Sequence, residues 1–141
     1  MSKARHILDA GPLIAFLNRD DRYHGWAVEV LGSLHAPPFI CEPVMTEVCW
    51  HLRTSPSAVA RVLEMPARKE VEILPMLPNE GVNLAGKVRK YGSRMDVADA
   101  CVLRMAETQP GAIVITLDIR DFSVYRLFRD EAVPLLHPAI K

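Results

Sequence analysis

The sequence has no excess of either charge: Lys and Arg number 17 and Asp and Glu number 17 in 141 residues. That excludes a histone-like or tail-driven electrostatic binder, although charge gathered locally can still recognise a polyanion. Long apolar runs are missing as well. No stretch approaches the roughly 18 residues of a membrane span. The opening MSKARHILDAG meets Asp9 before a signal-peptide core could form. The expectation is a soluble, cytoplasmic protein with no membrane partner. Cysteine is scarce: Cys41, Cys49 and Cys101 show neither CxxC nor Cys/His zinc spacing, which sets aside disulfide scaffolding and structural zinc. Cys49 and Cys101 fall inside apolar helical patterns and read as buried reduced thiols. A glycine-rich phosphate loop, a GxSxG elbow, internal repeats and low-complexity runs are all absent.

What is present is core-forming. Half of the residues are hydrophobic and 24% are charged, the composition of one globular domain, expected to span residues 1–141. Short runs rich in Val and Ile, at Arg5–Leu8, Pro38–Cys41, Val71–Leu74 and Ala112–Thr116, read as buried strands, with Val133–Leu136 a weaker fifth. AIVIT lacks polar alternation, which suits a parallel strand covered on both faces. Helical spacing fills the intervals. It appears at Leu13–Leu17, at Trp26–Leu34, at Val44, Val48 and Leu52, at Val59–Leu63, at Leu84 and Val88, and at Val97, Cys101 and Met105. Strand–helix alternation predicts an α/β fold with a mainly parallel central sheet flanked by helices.

Acidic residues stand where such a fold gathers ligands. Asp9 ends the first strand and Asp118 a later one, and in open parallel sheets the crevice lies beyond the carboxyl ends of the strands. Each alone reads equally as a turn or a cap. Glu47 lies on a helix among Val44, Met45, Val48 and Cys49, with His51 four residues on as an ordinary partner. Asp96 and Asp99 open the next acidic helix. Asp96 reads as its N-cap, whereas Asp99 belongs to an apolar stripe. Asp9, Glu47, Asp99 and Asp118 together form an all-oxygen anionic set. Close unpaired carboxylates raise one another's pKa values, and a hard cation such as Mg²⁺ or Mn²⁺ relieves this. The chemistry such a set supports is metal-assisted attack of water on a phosphate ester.

The segments LDAGPLIAFLNRDDRYHGWAVEVL, PVMTEVCWHL, MDVADACVLRMAE and ITLDIRDFSVYR resemble, in order and spacing, the PIN-domain ribonucleases, and within them the VapC toxins of toxin–antitoxin modules. The resemblance covers nearly the whole chain. It implies a PIN-like three-layer sandwich, an acidic site for Mg²⁺ or Mn²⁺, and endonucleolytic cleavage of RNA leaving a 5′-phosphate and a 3′-hydroxyl. It puts the family's acidic positions on Asp9, Glu47, Asp99 and Asp118, with Asp96 a second candidate metal ligand and Asp121 a less favoured one. Asp9, Asp99 and Asp118 would hold one or two ions and Glu47 would position or deprotonate water, with the division of these roles left open. Ala10 stands where many members carry a hydroxyl or amide residue. The resemblance also implies a cognate antitoxin, whose C-terminal segment would enter the acidic groove with Arg or Lys.

From residue 81 to 129 the bases Lys87, Arg89, Lys90, Arg94, Arg104, Arg120, Arg126 and Arg129 outnumber five acids. Arg94 and Arg120 flank the acidic motifs and are the candidate phosphate contacts; the Lys87–Lys90 run reads as an exposed helix face. Apolar helices bearing Trp26 and Trp50 offer a homodimer surface. Two other readings compete. A strand-end Asp phosphatase or phosphotransferase would want a second Asp at the position of Gly11. A catalytically silent PIN-like module, binding RNA or protein, would have no need of four acidic positions.

Overall fold

The five apolar runs contain the five strands of the computed structural model, which describes residues 3–138. β1 (His6–Leu8), β2 (Phe39–Ile40), β3 (Glu72–Ile73), β4 (Ile113–Ile115) and β5 (Leu135–Leu136) form one sheet in the order β3-β2-β1-β4-β5, parallel throughout. The strands are short, but β1 and β4 run in register from His6↔Ile113 to Leu8↔Ile115. Their ladder continues past the strand ends, where the Asp9 amide donates to the Ile115 carbonyl at 3.0 Å. Val114 and Ile115 are fully buried, as a strand covered on both faces requires.

The helices are α1 (Ala10–Leu17), α2 (His24–Gly32), α3 (Glu42–His51), α4 (Pro56–Glu64), α5 (Leu77–Tyr91), α6 (Val97–Thr108) and α7 (Ile119–Phe122). A 3₁₀ turn at Gly92–Arg94 joins α5 to α6. Proline stands in the first turn of α3, α4 and α5, where its missing N–H has no intrahelical partner to lose. α7 is one turn long, too short to carry a hydrophobic period, and the sequence pattern does not reveal it. Among the described residues, no helix is long and apolar enough to cross a membrane.

The apolar stripes are narrower than their spacing predicts. Val62 is buried on α4 but its neighbour Leu63 is exposed, and Val97 at the start of α6 is exposed while Cys101 and Met105 are buried. Trp26 packs partly buried against the core; Trp50 is exposed, with the Arg53 guanidinium 3.8 Å from its ring centroid. Cys41 and Cys101 are buried, whereas Cys49 is only half-buried.

Lys87 departs from the expected exposed face. Its Nζ donates to Glu107 Oε1 at 2.6 Å, and Arg104 bridges the same oxygen at 3.1 Å and Glu80 at 2.9 Å. The Glu107 side chain is only 2% exposed, so this network clamps α5 to α6 from inside. The sequence run Lys87–Lys90 conceals the difference, because burial is decided by what α6 brings opposite.

Candidate metal centre

Because β1 and β4 are parallel neighbours, the residues just after them emerge side by side at one edge of the sheet. Asp9 follows β1 in extended backbone and starts α1, yet its carboxylate makes no capping bond to that helix. It turns to Thr116 instead, whose hydroxyl donates to Asp9 Oδ2 at 2.7 Å and accepts the Asp118 amide at 2.9 Å. Thr116 is fully buried and Asp9 is 8% exposed. Asp118 caps α7, its Oδ1 accepting the Asp121 amide at 3.0 Å.

α6 presents the next acid. Asp96 is its N-cap, accepting the Asp99 amide at 2.8 Å, as the sequence pattern leads one to expect. Relieved of capping, the Asp99 carboxylate accepts the Tyr125 hydroxyl at 2.9 Å. The same hydroxyl lies 3.0 Å from the Arg94 carbonyl, and its single proton is shared between them. Tyr125 is buried, with Tyr91 and Phe122 meeting its ring edge-on at centroid distances of 4.9 and 5.1 Å. From α3, half-buried Glu47 has no hydrogen-bond partner among the described residues, and His51 is exposed without reaching it.

These side chains open onto one cleft of about 370 Å³, lined by Asp9, Glu47, Asp96, Asp99, Asp118 and Asp121 together with Gly11, Leu117 and Arg94. A carboxylate oxygen of Asp99, one of Asp118 and one of Asp121 all lie within 4.8 Å of one another. Asp121, the less favoured residue in the sequence, is thus part of the tightest group, while Asp9 stands deeper and bound to Thr116. Arg94 is the cation of the cleft lining, its Nη1 3.7 Å from Asp121 Oδ1. Arg120 is exposed on α7 and outside the lining. Gly11 lets the start of α1 pass close to Leu117, since a Cβ there would come within 3.1 Å of its side chain.

The electrostatics follow from six carboxylates facing one arginine. Burial pushes the Glu47 carboxyl up to about 7, helped by Asp9, Asp96 and Asp118. Burial and Asp96 take Asp99 to about 7 against the Tyr125 hydrogen bond. Asp9 is raised by burial, opposed by its bond from Thr116, and Asp118 by burial with Asp121 adding repulsion. Desolvation and like charge act in the same sense at all four. Three close carboxylates, hard oxygen donors only, fit Mg²⁺ or Mn²⁺ and not a soft or thiolate-seeking metal.

Sequence reasoning misses Thr116 and Tyr125. A threonine ending a Val/Ile run reads simply as a strand former. Nothing local marks Tyr125, whose contact with Asp99 is 26 residues away.

No protein-family model matches this chain, and no curated protein matches it in sequence. A solved structure described as DNA-bound VapBC from Salmonella typhimurium contains a chain that aligns with a TM-score of 0.59. The alignment covers 96% of this chain and 98% of that one at 15% identity. At that identity the likeness shows the fold. The fold is PIN-like: an all-parallel five-stranded sheet between layers of helices.

Proposed function

We propose that this protein is a metal-dependent endoribonuclease of the PIN type, acting as the toxin of a toxin–antitoxin pair. The observation that carries the reading is the convergence of six carboxylates on one cleft at the carboxyl edge of the sheet, with Arg94 beside them. A non-catalytic module gains nothing from that repulsion, which makes the apo fold less stable. The full-length structural likeness to a chain of a VapBC complex supports the toxin assignment and a protein antitoxin as partner.

Asp99, Asp118 and Asp121 would hold Mg²⁺ or Mn²⁺, with Asp9 and Asp96 adding charge or further ligands. Bound there, the cation supplies positive charge for the phosphate and its leaving group and makes nearby water more acidic. The rest of the chemistry belongs to the chain. Glu47, unpartnered and poised near neutrality, takes the proton of the attacking water. Thr116 holds Asp9 in place, and Tyr125 holds Asp99. Arg94 binds a phosphate oxygen at the rim, and Arg120 meets the RNA only outside the cleft. An antitoxin segment bearing Arg or Lys would neutralise the same cleft. The exposed Trp50 on α3 is a candidate contact of a homodimer.

The test is incubation of partner-free protein with total cellular RNA in Mg²⁺, Mn²⁺ or EDTA, beside Asp9→Asn and Asp99→Asn variants. Discrete cleavage that needs metal and disappears in both variants is the expected result. Intact RNA under both metals, with folded protein, would move the assignment to a silent PIN-like binding module.

A further inference from the structure

Residues 126–132 form a tight turn that the acidic site does not use. Arg126 and Ala132 make an antiparallel bridge, the Leu127 amide donates to the Glu131 carbonyl and the Asp130 amide to the Leu127 carbonyl, both at 2.8 Å. Asp130 adopts the left-handed region, φ 61°, to close it. Phe128 stands in the turn with its side chain 67% exposed, and the Arg129 guanidinium lies 5.3 Å from its ring centroid. A hydrogen-bonded turn therefore holds an aromatic ring mostly in water.

The turn is fixed relative to the catalytic cleft. The Arg126 amide donates to the Tyr91 hydroxyl at 2.9 Å, and the Arg126 guanidinium donates to the Ser123 carbonyl at 2.7 Å. Tyr91 packs on Tyr125, and Tyr125 bonds Asp99. Between the turn and α5 lies a cavity of about 180 Å³ whose walls include Lys90, Tyr91, Arg126 and Phe128. Lys90 Nζ sits 5.2 Å from the Tyr91 ring centroid. Two acids line the cavity: Glu107 is already neutralised by Lys87 and Arg104, and Asp130 belongs to the turn itself. Cations interleaved with aromatic rings are the pattern that binds single-stranded nucleic acid: rings stack bases and cations meet the phosphates between them. A protein partner would favour a contiguous apolar patch. Phe128 instead shares the cavity wall with Lys90, Arg126 and Asp130, and Arg129 lies beside its ring.

We infer that the Phe128 turn and the Lys90–Tyr91 face of α5 form a nucleotide subsite for single-stranded RNA beside the cleavage site. One base stacks on Phe128, and its flanking phosphates lie against Lys90 and Arg129. The inference rests on the ribonuclease reading for its ligand, but binding and cutting are measured separately.

The experiment uses the full chain carrying Asp9→Asn, in EDTA, with a fluorescein-labelled single-stranded oligoribonucleotide containing 5-iodouridine. Anisotropy is recorded for this chain and for versions further carrying Phe128→Ala, Phe128→Trp or Lys90→Ala, each checked for an unchanged melting temperature. Phe128→Ala should weaken binding about fivefold to a hundredfold, as loss of one stacked base does. Phe128→Trp should retain it, Lys90→Ala should lower the salt dependence by about one phosphate contact, and photocross-links should map to residues 126–132. Equal affinity of the Phe128→Ala chain, absence of RNA binding, or loss of self-association with RNA affinity intact would each overturn the subsite. A chain that cuts RNA with an affinity blind to Phe128 sinks this inference alone. One that binds RNA through Phe128 yet cuts nothing sinks the nuclease reading alone.

Discussion

The Thr116 hydroxyl donates to Asp9 Oδ2 at 2.7 Å, joining residues 107 positions apart in the chain. The bond is a consequence of parallel pairing: β1 and β4 run in register, so whatever follows Leu8 must face whatever follows Ile115. Thr116→Val keeps the shape and removes the hydroxyl, leaving a buried carboxylate and the Asp118 amide without their partner. Urea unfolding should show a loss of about 1–3 kcal/mol, and Mn²⁺ titration should show weaker binding. Unchanged Mn²⁺ affinity would mean that Thr116 does not position the acidic group.

Tyr125→Phe isolates the second support. The ring keeps its contacts with Tyr91 and Phe122, while Asp99 loses its donor. Partners of this kind behind a ligand typically carry 10–100-fold in metal affinity. A drop of about tenfold in Mn²⁺ affinity, read by calorimetry, is expected; a loss of stability without a change in affinity would assign Tyr125 to packing alone.

The raised carboxyl groups set a pH dependence. In the unfolded chain Asp and Glu titrate near pH ~4, whereas Glu47 and Asp99 in the fold titrate at about 7. Below the lower value both states are protonated and nothing is lost. As pH rises between the two, the unfolded chain releases protons that the fold retains, so metal-free stability falls and is lowest above 7. A cation binds the deprotonated fold and reverses this. Melting in EDTA and in Mg²⁺ should therefore diverge by several degrees at pH 8 and nearly coincide at pH 5; parallel curves would refute the metal assignment.

Asp99→Asn tests the same repulsion from the other side. Replacing one of three close carboxylates should raise the metal-free melting temperature at pH 8 by a few degrees and abolish its response to Mg²⁺. A lower melting temperature in EDTA would show that the Tyr125 bond outweighs the repulsion.

Glu107→Ala probes the clamp between α5 and α6. It leaves Lys87, only 12% exposed, without its buried counter-charge, and chemical denaturation should register a loss of about 3–5 kcal/mol. A loss below ~1 kcal/mol would place Lys87 in water once the glutamate is gone.

The sequence alone carries the fold class. Short apolar runs alternating with helical periods leave a parallel α/β sheet as the simplest arrangement, because hydrophobic period and strand length are local properties of the chain. It also carries Asp9, Asp96, Asp99 and Asp118 as acids where a strand ends or a helix begins, and Glu47 as an acid within an apolar helix. Tertiary structure decides the rest. It takes Asp121 into the tightest carboxylate group and leaves Arg120 outside the cleft, since α7 is a single turn whose orientation no periodicity encodes. It turns Lys87 inward to Glu107. It gives Asp99 a tyrosine and Asp9 a threonine as partners, because strand register and helix packing join residues with no local relation in the chain.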